Sequence, residues 1–236
     1  MSWMIVSFFT IGTGYEKEIK KLEASLLKFD LPYKFYSYPS TGTWRGNLNY
    51  KSETILKAFD EFPGEDIVFL DADAIVRQYP TLFDRFSKEH NYDIAACFFK
   101  YRPESGDPDE LLSGTLWIQN GEGGRMLIER WHKIGLEFPG RRHQMCLKEA
   151  IKNLQREGRE VRVYRLPFEY TCIFDYGIRR GKIPVIEHFQ ASRKLRRQVG
   201  FGVSLIPGKQ KHFSILTTRN IRQLRRIIAE GKAIKA

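Results

Sequence analysis

The chain has 236 residues, 42% hydrophobic and 28% charged, which is enough to bury a substantial core and excludes a disordered tail. No run approaches the roughly 18 to 20 apolar residues of a membrane span, and the apolar start at residues 3–9 has neither a basic leader nor a small-residue cleavage site, so a secreted or membrane-spanning protein is not expected. From Ala191 onward the chain carries 12 of its 39 Lys and Arg but only one of its 28 acids, so residues 1–190 are neutral and the whole net charge of +11 falls on the terminal segment.

Residues 4–9 read as a buried first strand closed by the Thr10-Ile11-Gly12-Thr13-Gly14 turn cluster. Thr13 and Glu16 have capping-box spacing for a helix whose face is Ile19, Leu22 and Leu26, stopped by Pro32. Residues 33–38 are strand-like and residues 39–49 a polar loop; a second helix with Ile55, Phe59 and Phe62 ends at Pro63-Gly64. Residues 67–70 form an apolar strand running into Asp71-Ala72-Asp73, and Pro80 opens a helix carrying Leu82, Phe83 and Phe86. Residues 94–99 predict a strand, 100–112 a Pro-, Gly- and Asp-rich loop, and 114–118 a strand. Two amphipathic helices follow, one with Leu127, Trp131, Ile134 and Phe138, the other with Leu147, Ala150, Ile151 and Leu154. Residues 161–166 and 185–189 are the last strands, and Ile221, Leu224, Ile227 and Ile228 give the basic terminus a helical stripe. This alternation predicts an α/β fold with a largely parallel sheet covered on both faces and ligands at the carboxyl ends of its strands. Cys97, Cys146 and Cys172 are odd in number and show no CxxC spacing, so they read as reduced cytosolic thiols.

Acids at i and i+2 after a buried strand converge on a cation if the chain turns there, and Mg²⁺ or Mn²⁺ favours oxygen ligands together with substrate phosphate. The plainer alternative has one acid capping the next segment and the other solvated. The apolar run before Asp71 argues for a role, because paired acids at the mouth of a buried strand need a reason. A haloacid-dehalogenase-like phosphatase would use Asp71 as a nucleophile, but it requires a later acidic pair and no GDxxxD-like segment follows. A non-enzymatic basic nucleic-acid-binding module is the other alternative.

The ordered set Ile67-Val68-Phe69-Leu70-Asp71-Ala72-Asp73-Ala74, Ser113-Gly114-Thr115-Leu116-Trp117-Ile118-Gln119-Asn120, His143-Gln144 and His188-Phe189-Gln190-Ala191-Ser192-Arg193-Lys194 resembles the GT-A-fold glycosyltransferases. It is most similar to the retaining group that includes glycogenin and bacterial lipopolysaccharide galactosyltransferases, over roughly residues 4–195. The resemblance implies a Rossmann-like mixed, mostly parallel sheet flanked by helices, with residues 1–190 as catalytic domain and 191–236 as a basic helical extension packed on or next to it. It implies a metal-dependent transfer of sugar from a nucleotide-diphosphate donor, a UDP-sugar first, to an acceptor hydroxyl, with Mn²⁺ or Mg²⁺ held by Asp71, Asp73 and His188. Asp71 and Ala72 of the DxD, Ser113 and Gly114 facing the sugar, and Lys194, six residues after His188, are the implied donor contacts. Thr10, Gly12 and Tyr15 are candidates for the nucleotide pocket and Lys51 for a basic donor contact, with an exposed first-turn lysine as its alternative. His143-Gln144 falls where relatives often carry Asp-Gln, so Gln144 and His143 are the catalytic candidates; with no acid at position 143, retention is favoured over inversion, and Asp107, Asp109 and Glu110 stay as candidate bases.

Arg193, Arg196, Arg197, Arg222, Arg225 and Arg226 beyond the donor motifs leave the acceptor open. They suit an anionic membrane surface near an envelope glycan or glycolipid, or the backbone of phage DNA carrying hydroxymethylated bases. The expected location is the cytoplasm, membrane-peripheral in the first case and that of the infected host in the second.

Overall fold

The computed structural model describes residues 3–101 and 109–195; the terminal helical stripe, Asp107 and the arginines beyond Arg193 lie outside the described residues. Strands β1 (Trp3–Thr10), β2 (Tyr33–Tyr38), β3 (Asp66–Leu70), β4 (Ala74–Val76), β5 (Ile94–Phe99), β6 (Glu110–Ile118), β7 (Val163–Leu166), β8 (Cys172–Ile173) and β9 (Ile186–His188) alternate with helices. These are α1 (Tyr15–Leu27), α2 (Trp44–Asn47), α3 (Tyr50–Glu61), α4 (Thr81–Glu89), α5 (Glu122–Glu137), α6 (His143–Arg156), α7 (Phe174–Arg179) and α8 (Ser192–Leu195).

The main sheet has the order β2-β1-β3-β6-β5-β7, with β6 antiparallel to its neighbours and every other pairing parallel. Alternation along β3 shows why it lies at the centre. Val68 and Leu70 face the core that α1 and α4 cover with Leu22, Leu26, Phe83 and Phe86, whereas Ile67 and Phe69 face the core that α3, α5 and α6 cover with Ile55, Phe59, Trp131 and Leu147. A small second sheet, β4-β9-β8, stands beyond the carboxyl end of β3. Its antiparallel register sets His188 opposite Ala74, next to the second acid of the DxD.

Several local expectations are corrected. The predicted loop at 100–112 gives way to β6 at Glu110, because Leu111 and Leu112 are buried and pair with Phe98 and Cys97. The Thr13–Glu16 capping box does not form: Glu16 Oε1 accepts from the Gly12 amide at 2.7 Å, one residue earlier, and Gly14 is the N-cap. Gly12 has φ +73°, which suits a residue without Cβ in that turn. The polar loop at 39–49 holds one helical turn, α2, whose first amides are capped by Thr43 Oγ1 accepting from Gly46 N at 3.0 Å. Phe138 lies past the end of α5 and is exposed rather than on its buried face. All three cysteines are free and buried.

Candidate functional site

Leu70 ends β3 and the chain turns at once, with Ala74 N donating to Asp71 O at 2.9 Å. That turn aims both carboxylates at one point. Asp71 N donates to Gly114 O at 2.8 Å, which binds the DxD to β6. The β4–β9 pairing brings in His188, and one ligand atom from each of Asp71, Asp73 and His188 lies within 4.8 Å of the others. Burial raises the Asp71 carboxyl despite the Lys51 ammonium 2.6 Å away. Burial acts on Asp73 the same way but is outweighed by His188 and by the Ala191 amide, which donates to Asp73 Oδ2 at 2.6 Å, so this carboxyl is held low. Gln190 at φ +53° turns the chain so that this amide can reach.

Thr115 Oγ1 and His188 Nε2 are 2.8 Å apart. With Nε2 bonded to Thr115, Nδ1 is the ring nitrogen that faces the acids, 3.9 Å from Asp73 Oδ1, and the one that would be offered to a metal ion. A Cβ on Gly114 would stand 3.0 Å from His188 Cε1, 3.1 Å from Nδ1 and 3.3 Å from Asp71 Oδ2, so the absence of a side chain there keeps the space between the ligands open. Two carboxylates, one imidazole and that cradle fit Mn²⁺ or Mg²⁺. Thr115→Val is expected to weaken Mn²⁺ binding about 10- to 100-fold with Thr115→Ser restoring it, read by Mn²⁺ titration beside a thermal melt.

These groups form the floor of a cavity of about 650 Å³. Thr10, Tyr15, Lys51, Asp71, Ala72, Asp73, Ser113, Gly114, His143, Gln144 and His188 all line it, whereas Gly12 and Lys194 do not. Lys51 is not the exposed lysine of the alternative reading: it is buried, paired with Asp71 and within 3.3 Å of Ser113 O. Tyr15 accepts at its hydroxyl from Trp44 Nε1 at 3.3 Å, and burial raises its phenol. His143 is buried against Trp131 with ring centroids 4.3 Å apart, and neither ring nitrogen has a hydrogen-bond partner among the described residues. Burial, with Lys51 and His132 behind it, lowers its pKa well below the usual value, so the ring is neutral. Gln144 donates from Nε2 to Glu110 Oε1. Asp109 is taken up by Arg165 and lies off the cavity lining.

No family model and no curated protein sequence matches the chain. Among solved structures, a glycosyltransferase involved in the glycosylation of the major capsid of PBCV-1 aligns with 84% of this chain and 97% of its own, at TM-score 0.63 and 16% identity. The chain has a GT-A glycosyltransferase fold. The galactosyltransferase LgtC, solved in complex with donor and acceptor sugar analogues, aligns with 98% of this chain and 97% of its own at TM-score 0.49 and 13% identity.

On this GT-A fold several residues of the site escape sequence reasoning, among them Thr115, which lies behind His188 and off the cavity lining. Thr115 was visible only as the residue after Gly114, and its bond to His188 needs a register across two sheets. Trp44 and Arg193 do line the cavity; Arg193, not the neighbouring Lys194, faces it, paired with Asp175 at 2.8 Å. Among the described residues His188 is the third group of the acid cluster, where a haloacid-dehalogenase-like phosphatase needs further acids.

Proposed function

We propose that the protein is a metal-dependent glycosyltransferase that moves a sugar from a nucleotide-diphosphate sugar, a UDP-sugar first, to an acceptor hydroxyl with retention. The observation that carries this reading is the Asp71, Asp73 and His188 cluster on the floor of an open cavity at the carboxyl end of β3. Mn²⁺ or Mg²⁺ bound there supplies positive charge against the diphosphate as it leaves. Lys51 balances one of the two carboxylates, which leaves one negative charge for a cation to meet. Thr10 and Tyr15, with Trp44 beside the latter, offer a polar edge and an aromatic wall to the base. Gln144 would stand at the reacting face, next to the neutral His143 ring that packs on Trp131, and Arg193 rather than Lys194 would add a cation on the cavity wall.

We favour retention: among the described residues the carboxylates lining the cavity are Asp71, Asp73 and Glu110. The first two are assigned to the metal and Glu110 is held at one oxygen by Gln144 and Arg142, so Glu110 is the described carboxylate that an inverting reaction would have to use, and the reading of retention rests on His143 standing where an acid would be needed. The departing phosphate then takes the acceptor proton. Residues 1–190 would be the catalytic domain and 191–236 a basic extension packed on or next to it, a reading supported by the burial of Leu195 beside Gly14. Among the described residues no helix is long and apolar enough to cross a membrane. An envelope glycan at an anionic membrane and a hydroxymethylated base in phage DNA are the acceptor classes that the basic terminus suits.

The test is release of nucleoside diphosphate from a panel of UDP, GDP and TDP sugars. Slow release from one donor is expected, abolished by EDTA and restored by Mn²⁺. Absence of binding and release for every donor would overturn the reading in favour of a binding module.

A further inference from the structure

Glu110 opens β6 opposite Phe99, separated from the part of the strand that pairs with β3 by the bulge at residues 113–115, where the β5–β6 register slips. It lines the same cavity. Its Oε1 accepts from Gln144 Nε2 and from Arg142 Nη1, the latter at 3.3 Å, while Oε2 has no partner among the described residues. A carboxylate pinned at one oxygen and open at the other is a fixed acceptor for hydroxyl donors.

Beside it stand two aromatic rings. Glu110 pairs with Phe99 in the β5–β6 register, and Tyr101 follows two residues after Phe99. Tyr101 meets Tyr176 edge to face at 5.4 Å, and both meet Phe99, at 4.9 and 5.4 Å. Both tyrosines line the cavity, and neither phenol has a hydrogen-bond partner among the described residues. Burial, then the charge of Glu110, pushes the Tyr101 phenol up to about 12, so it stays a protonated donor.

We infer that this end of the cavity is a carbohydrate subsite, in which the Tyr101 and Tyr176 rings take the apolar face of a pyranose and Glu110 takes its hydroxyls. A pyranose offers C–H groups on its faces and hydroxyls around its edge, and aromatic rings beside a carboxylate match both. A phosphate is poorly served beside these two rings, because Arg142 and Arg193 are each tied to a carboxylate and Glu110 repels it, although Arg45 elsewhere on the cavity wall has no carboxylate partner among the described residues. The inference rests on the transferase reading for its role as acceptor site, and it chooses a sugar over a DNA base.

Saturation-transfer NMR on the full chain with Mn²⁺ and UDP, against free galactose, glucose, N-acetylglucosamine and lactose, tests the subsite without needing turnover. At least one saccharide is expected to bind, with Glu110→Ala and Tyr101→Ala each weakening it about tenfold at an unchanged melting temperature. Tyr101 is 39% exposed, so its truncation does not open the core. No binding by any saccharide, binding that survives both substitutions, or competition by duplex DNA but by no sugar would overturn the inference. Donor release accelerated by the bound saccharide supports the acceptor role. Saccharide binding in a protein that releases no nucleoside diphosphate would leave the subsite standing and sink the transferase reading instead.

Discussion

Asp73→Asn is expected to lower metal-dependent release of nucleoside diphosphate on the order of a thousandfold while the protein still melts cooperatively near the wild-type temperature. The substitution removes one negative charge from the cluster and little else. Asparagine is nearly isosteric with aspartate, and its side-chain oxygen can still accept from the Ala191 amide that holds this turn to α8. His188→Ala should match it in activity, because Thr115 and Asp73 then face a gap where the imidazole stood. It should cost more in stability, since His188 is buried in β9. Mn²⁺ titrations read beside the melts separate the two effects. Full activity in either variant would remove Asp71, Asp73 and His188 as the metal ligands, and a binding module with structural acids would show no effect of Asp73→Asn at all.

The sequence made the sheet and the acids legible but not the pairing that completes the site. The run at 67–70 is apolar on both parities, so its burial at the sheet centre and the turn at Asp71 follow from local chemistry. His188 could be placed only through the resemblance. It reaches Asp73 because β4 and β9 pair, and strands of three residues carry almost no periodic signal. The start of β6 was hidden for another reason. Its first residue is the polar Glu110, next to a Pro- and Gly-rich stretch, and strand state there is fixed by partners on β5 rather than by composition. The same boundary error kept Glu110 in a loop and away from Gln144. Lys51 shows tertiary override most directly: a first-turn lysine is usually exposed, and this one is buried because Asp71 and Ser113 O meet its ammonium.

Gly114→Ala should reduce turnover about a hundredfold at nearly unchanged stability, and the reason is steric. Gly114 has no left-handed backbone angle, so alanine fits the strand and the usual strand penalty of glycine is relieved. The new methyl, however, would lie 3.0 to 3.3 Å from His188 and Asp71, closer than either can easily tolerate. Asp71 is held by Lys51 and His188 by Thr115, so the neighbours can give way only by loosening the bonds that aim them. The methyl also fills the space between the ligands where an ion and the first phosphate oxygens would sit. Activity and Mn²⁺ affinity should therefore fall together while the melting temperature stays within about 3 °C, a shift worth about 1 kcal/mol for a domain of this size. A variant that kept full turnover would mean that the donor phosphates do not approach β6 at Gly114, whereas one that lost stability in step with activity would mean that this glycine serves packing rather than the site.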